Sequence, residues 1–221
     1  MLDTVSAVFA MLLTPLCETI LMVAGTTFFS ILLGLPLGVV LNLTDPVGLK
    51  PRRMLNNVLS RVVNLLRSFP FLILMILVFP LSRLIVGEST GTKATIVPLA
   101  IAASPFVARV IESALKEIDP QVLLAARVMG SSTWQIVYKV MIPEAMPSIV
   151  AGITLTVINI IGYSAMAGAI GGGGLGDLAI RYGYHRFRTD VMIGAVLVIV
   201  VLVEAVQLLG SWISDRMIKK R

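Results

Sequence analysis

Residues 191–214 read VMIGAVLVIVVLVEAVQLLGSWIS, an apolar run interrupted by one charged residue, Glu204. A helix needs about 20 mainly apolar residues to cross the hydrocarbon core of a bilayer, and this stretch supplies them. The rest of the chain repeats the pattern. Of its 221 residues 57% are hydrophobic and only 14% charged, more apolar surface than one soluble core of this size can hide. Working outward, further nearly charge-free runs cover 20–43, bounded by Glu18 and Asp45; 68–85, with Arg67 at its entrance and Arg83 near its exit; 94–117, continuing past Arg109 towards Lys116; and 145–169, running into glycines. The expected fold is an all-α membrane protein with five transmembrane helices, forming a single transmembrane domain over 1–221.

A further apolar stretch, Thr4 to Leu16, is too short to cross, contains Pro15, and is expected either to lie in the interface or to extend the first span outward. No Lys or Arg precedes Lys50, so a cleavable leader with a basic start is not expected. Basic residues also set the orientation. The connection after span one carries Lys50, Arg52, Arg53 and Arg61, with Arg67 at its far end. The connection after span three carries Arg109, Lys116, Arg127 and Lys139, and the tail Arg216, Lys219, Lys220 and Arg221. The opposite side has Arg83, Lys93, Arg181, Arg186 and Arg188. Lys and Arg concentrate on the cytoplasmic side, which places the N-terminus outside and the C-terminus in the cytoplasm. The net charge of +6 is then a topology signal rather than a nucleic-acid footprint, which aromatics would interleave.

The connection between spans three and four has the most local structure. Asp119-Pro120 reads as a helix start, with Asp at the cap and Pro at the first helical position. Gly130 is placed to stop that helix. Ser132 and Gln135 have the spacing of a capping box for a second one, and Pro143 is expected to close the unit before span four. Ala125 and Ala126 are small enough to let another surface approach closely. From these residues alone, an amphipathic helix lying on the bilayer is an equal reading.

This segment, 119–143, resembles the loop of ABC importer permeases: Glu-Ala-Ala, three residues, Gly, nine residues, Ile, any residue, Leu-Pro. Here Leu124-Ala125-Ala126 leads to Gly130 and on to Val140-Met141-Ile142-Pro143. The family's Glu is Leu124, which removes a carboxylate that could pair with a basic residue on the ATPase. Arg67-Ser68-Phe69-Pro70-Phe71 is similar to the entry motif of amino-acid permeases in this class. Ile96-Val97-Pro98-Leu99, Pro105-Phe106-Val107-Ala108-Arg109 and Gly162-Tyr163-Ser164-Ala165-Met166 look like the methionine-uptake branch.

The resemblance implies a type I importer fold and a homodimer with two cytoplasmic ATP-binding subunits and an external substrate-binding protein or lipoprotein. It implies ATP and Mg on the partner ATPase, with no cofactor on this chain, and methionine (D- or L-) or a related amino acid as cargo. The coupling residues are then Asp119, Pro120, Leu124, Ala125, Ala126, Gly130, Ser132 and Pro143. Candidates for the translocation path and gate are Asn159, Tyr163, Ser164, Met166 and Glu204. Another amino acid, a small peptide, or a secondary transporter are the alternatives.

No catalytic or metal site is expected. Cys17 is the sole cysteine and His185 the sole histidine, so neither a disulfide nor a His-based metal site can be assembled; Cys17 is expected as a small buried hydrophobe and His185 as exposed. Gly171 to Gly174 has no Lys after it and no Lys precedes Ser or Thr, which excludes a phosphate-binding loop. The glycines are expected to form an irregular external turn that lets helices approach. Glu204 in mid-span is either a functional carboxylate or one hydrogen-bonded near Gln207. Met166 is either a movable apolar plug or plain packing. Glu112 with Arg109 and Lys116 reads as helix-face ion pairing.

Overall fold

A computed structural model describes residues 2–219, with side chains from residue 8 onward. Nine α-helical segments follow one another among these residues: α1 Leu2–Thr44, α2 Arg53–Ser68, α3 Phe71–Val86, α4 Thr92–Lys116, α5 Pro120–Val128, α6 Thr133–Ile136, α7 Ile142–Gly168, α8 Gly174–Leu178 and α9 Thr189–Lys219. Two π-helical turns, Val137–Met141 and Ala179–Tyr184, join α6 to α7 and extend α8. Four stretches are long and apolar enough to cross a membrane: Val8–Thr44, Thr92–Lys116, Thr133–Gly168 and Thr189–Lys219. A fifth is reached when α2 and α3, which pass the same test only together and are bent by 105° at the break, are counted as one span.

Of the two placements expected for the Thr4–Leu16 stretch, the structure takes the second. The Thr4–Leu16 stretch extends the first span as one helix, and Pro15 lies inside α1. Proline removes one backbone bond, whereas ending the helix there would orphan several backbone groups at each new terminus. Two features differ from the sequence expectation. First, Ser68 ends α2 and the span that follows begins only at Phe71, because Pro70 (φ −58°, ψ 126°) is not helical and disfavours helical geometry in the residue before it. Second, residues 53–67, read as loop, belong to the amphipathic helix α2.

The described residues group into two compact units. One comprises the chain up to Phe29, Phe69–Ala103 and Val157–Gln207; the other comprises Ser30–Ser68, Ser104–Thr156 and the chain from Leu208 on. In the first, Leu12, Leu175, Leu178, Val191 and Ala195 form one buried cluster and Val23, Ala103, Ile160 and Ile161 another. The end of α7 crosses α8 at backbone distance: a Cβ on Gly168 would lie 2.2 Å from the Asp177 nitrogen, and one on Gly176 2.3 Å from the Ala165 oxygen. Only glycine permits that approach.

The second unit has its core where α1 and α4 meet the 119–143 segment, with Val39, Val107, Ile111, Leu115, Ile118, Ala126, Ile136, Met141 and Ile149 buried together. There α2 is held by Asn56, a buried side chain whose Nδ2 donates to the Leu41 carbonyl at 2.8 Å and to Thr44 Oγ1 at 3.2 Å. Val63 packs with Leu41 and Ala108. These contacts turn the Asn56–Val63 face inward and leave Met54, Val58, Val62 and Leu65 exposed.

Candidate functional site

The 119–143 segment is ordered by its own caps. The Asp119 carboxylate accepts the Gln121 backbone N–H at 2.8 Å, and Pro120 opens α5. At the other end Met129 N–H donates to the Ala125 carbonyl at 3.1 Å and Ser131 N–H to that of Ala126 at 3.1 Å. Gly130 turns the chain at φ +80°, a conformation that side chains with a Cβ rarely adopt. The capping box then forms: Ser132 N–H donates to Gln135 Oε1 at 2.8 Å, and Gln135 N–H to Ser132 Oγ at 3.3 Å.

Pro143 does not close this unit. Helix continues from Thr133 through the π turn into α7. The Ile142 N–H reaches back five residues to the Val137 carbonyl, and a π turn of this kind already shifts the bonding register. The donor that Pro143 lacks is therefore missing where the four-residue pattern has already given way.

The segment has distinct faces. Ala126, Ile136, Val137 and Met141 point into the core with Leu115, Ile118 and Ile149. Arg127 reaches across to donate to the Leu49 carbonyl at 2.6 Å. The opposite face exposes Ala125 and the large side chains Leu124 (61%), Val128 (80%), Met129 (78%) and Trp134 (72%). Of the two alanines expected to admit a partner, only Ala125 is on that face; Ala126 fills the protein's own core.

Just upstream, α4 carries a chain of charges that is not the surface pairing expected. Glu112 is only 5% exposed. It accepts from Arg109 Nη1 at 2.6 Å and from Lys116 Nζ at 2.8 Å. Lys116 also binds Asp45 at 2.9 Å, and Arg109 Nη2 donates to the Ser60 carbonyl at 3.3 Å and Asn64 Oδ1 at 3.0 Å. The network thus fastens α2 and the end of α1 to the helix that leads into the 119–143 segment. The Asp45 carboxyl is held below the usual carboxylate range. Its hydrogen bond from Lys116 is the main cause, followed by that from the Val47 N–H, against an opposing pull from burial. A depressed pKa contributes stability above the unfolded value of about 3.9 that is lost only as pH falls through the folded one. The link is therefore intact throughout the neutral range.

The path candidates do not all share a face. On α7, Asn159, Gly162 and Met166 (50% exposed) lie three and four residues apart on one exposed stripe. Tyr163 is partly buried and stacks on Phe71, with ring centroids 4.5 Å apart. Ser164 is buried and its hydroxyl donates to the Ile161 carbonyl at 2.8 Å, so it is turned away from the stripe. Glu204 is exposed on α9 beside Val200 and Val201. Cys17, expected to be buried, is exposed.

The glycine turn is built on α1. A Glu18 carboxylate oxygen accepts the Gly174 N–H at 2.8 Å and Thr19 Oγ1 the Leu175 N–H at 2.9 Å, capping α8 from a distant part of the chain and placing negative charge at a helix N-terminus. Sequence gave no sign of this, since neither residue is near Gly174 in the chain. Glu18→Ala is expected to lower stability by about 1 kcal/mol, as for loss of a capping side chain. Glu18→Gln, which keeps an acceptor, should cost less. Thermal unfolding in detergent measures both.

Comparison with known proteins gives a consistent picture. Residues 34–220 match the family described as binding-protein-dependent transport system inner membrane component. A probable D-methionine transport system permease protein MetI of Vibrio cholerae is 48% identical, over 93% of this chain and 92% of that one. The methionine import system permease protein MetP of Bacillus subtilis is 43% identical over 78% of each. A chain from inward-facing structures of the MetNI methionine ABC transporter superposes with a TM-score of 0.91 at 42% identity, covering 93% of this chain and 95% of that one.

Proposed function

Because the chain belongs to the family of binding-protein-dependent transport system inner membrane components, it is a membrane-spanning permease subunit of an ABC importer, and we propose that it carries methionine or a closely related amino acid into the cell by alternating access. The observation that carries the reading is the capped 119–143 segment, which exposes an apolar face on one side, is built into the core on the other, and follows directly on the helix that carries the charge network. Such a part transmits force: it is seated in the permease through Ala126, Ile136 and Met141 and offers a partner Leu124, Ala125 and Val128. The methionine assignment follows the relatives of Vibrio cholerae and Bacillus subtilis.

In the proposed assembly two copies of the chain meet around one path. Two ATP-binding subunits sit on the cytoplasmic side, carrying ATP and Mg, and a binding protein delivers cargo from outside. The basic residues of the 45–67 and 119–143 segments and of the tail face the cytoplasm, with the N-terminus outside. Asp119, Pro120, Gly130 and Ser132 shape the coupling segment, and Pro143 continues it into span four. Asn159, Met166 and Glu204 line the path; Tyr163 and Ser164 support it through their contacts with Phe71 and Ile161. The Met166 side chain is long, apolar and adaptable, and can fill a narrow passage without leaving hydrogen bonds unmet.

Reconstitution in liposomes tests this. The permease with its ATPase and binding protein should take up methionine only when ATP is present, and the permease alone should not. Ion-driven transport by the permease alone would overturn the assignment. In the same liposomes Met166→Ala should raise ATP-independent leak severalfold; a leak equal to that of the wild type removes Met166 from the gate.

A further inference from the structure

Resting on the permease reading, we propose that this chain selects its ATPase through a charge-free contact in which Leu124 fits an apolar socket and excludes ATPases whose socket presents a basic side chain. The outward face of α5 and the turn after it is uncharged: Leu124, Ala125, Val128 and Met129, with Gln121 the polar side chain among them and Trp134 exposed on the helix that follows. The charged groups at the cap and on the side of α5 are engaged within the chain, while Lys139, also exposed, lies further along the segment. Asp119 accepts the Gln121 N–H, and Arg127 is drawn across to the Leu49 carbonyl. No carboxylate stands on this face to meet a cation. A cluster of large apolar side chains this exposed on the water side of a protein marks an interaction surface, and here it lies on the segment through which the importer is proposed to meet its motor.

The chemistry of the occupant follows from that face. A socket of aliphatic or aromatic side chains gains from covering Leu124 and Val128. A socket with Arg or Lys opposite Leu124 would have that cation stripped of water with nothing to replace it, which disfavours the complex strongly. Discrimination of this kind works by penalising the wrong partner as well as by fitting the right one. The exclusion is directed at ATPases whose socket is built to pair with a permease carboxylate at this position.

The test is co-purification of the full-length permease with its own ATPase and with the ATPase of a relative whose permease has glutamate at this position, followed by permease-stimulated ATP hydrolysis. With its own ATPase, Leu124→Glu should weaken assembly by about tenfold or more, and Leu124→Met should stay within about twofold. With the relative's ATPase, Leu124→Glu should assemble better than the wild type, a gain that a merely misfolded variant cannot give. Equal assembly of wild type and Leu124→Glu with the chain's own ATPase overturns the proposal, as does the same loss with both ATPases. A wild type that retains no ATPase at all overturns the permease reading itself. Lipid is the competing occupant. In a Cys17→Ser background, Leu124→Cys in liposomes should be shielded from a water-soluble thiol reagent only when ATPase is added; shielding without ATPase means that the bilayer covers this face and sinks the proposal.

Discussion

Replacing Arg109 with alanine is expected to destabilise the protein by about 3 kcal/mol, within the range for removing one partner of a buried ion pair. Glu112 is 5% exposed and is neutralised from two sides, by Arg109 and Lys116. Losing Arg109 leaves the carboxylate with a single cation that it must share with Asp45. It also releases α2, because the same guanidinium bonds the Ser60 carbonyl and Asn64. Lys116→Met should cost less, since the lysine side chain is about half exposed and Arg109 remains. The double substitution Arg109→Met, Glu112→Leu should recover much of the loss, since a packed apolar pair often replaces a buried ion pair without penalty. Unfolding of the purified protein by denaturant titration in detergent reads all three. A loss below about 1 kcal/mol for Arg109→Ala, the level of an exposed pair, would show that Glu112 is solvated in the membrane.

Substitutions at Gly130 should follow backbone preference rather than size. Its φ is +80° and a Cβ there would meet no atom within 4 Å, so the penalty is conformational. Asparagine tolerates the left-handed region, and Gly130→Asn should retain most of the ATP-driven uptake. Gly130→Val, β-branched, is the outlier in that region, with a cost of about 1–3 kcal/mol concentrated in one turn. The segment relieves it by opening the turn, which moves Leu124 and Val128 relative to Trp134. Uptake should fall by about tenfold or more, the equivalent of about 1.4 kcal/mol, while membrane insertion is unchanged. A side-chain series ordered by volume instead, with Ala best and Asn no better than Val, would place the role of Gly130 in close packing against a partner.

These features were legible to different degrees. The spans and caps are chain-local: an unbroken apolar run and Ser132 three residues before Gln135 carry their meaning without tertiary context. Helix α2 was also within reach, because Met54, Val58, Val62 and Leu65 recur at helical spacing opposite Asn56, Ser60 and Val63; its three basic residues, Arg53, Arg61 and Arg67, drew attention to topology instead. Direction was the hidden quantity. In a span where nearly every residue is apolar, period does not say which face is turned inward, so neither the inward turn of Ser164 nor the exposure of Cys17 could be read. Burial of Glu112 was hidden for a related reason. Arg109 and Lys116 at helical spacing look alike on a wet surface and in a core, and the difference is made by Asn64 and Asp45, which the chain brings from elsewhere. The π turn at Val137–Met141 likewise depends on how α6 joins α7 rather than on any residue type within it.

The cap on α8 has a consequence for how the molecule is made. The Glu18 carboxylate and the Gly174 N–H that donates to it are separated by 156 positions, and a ribosome working at about 5–20 residues per second needs on the order of ten seconds to traverse that interval. Throughout it the Glu18 carboxylate and the Thr19 hydroxyl lack these two donors, which α8 supplies. The cap therefore closes only after α2 to α7 have been made, and its formation dates the arrival of α8 against α1.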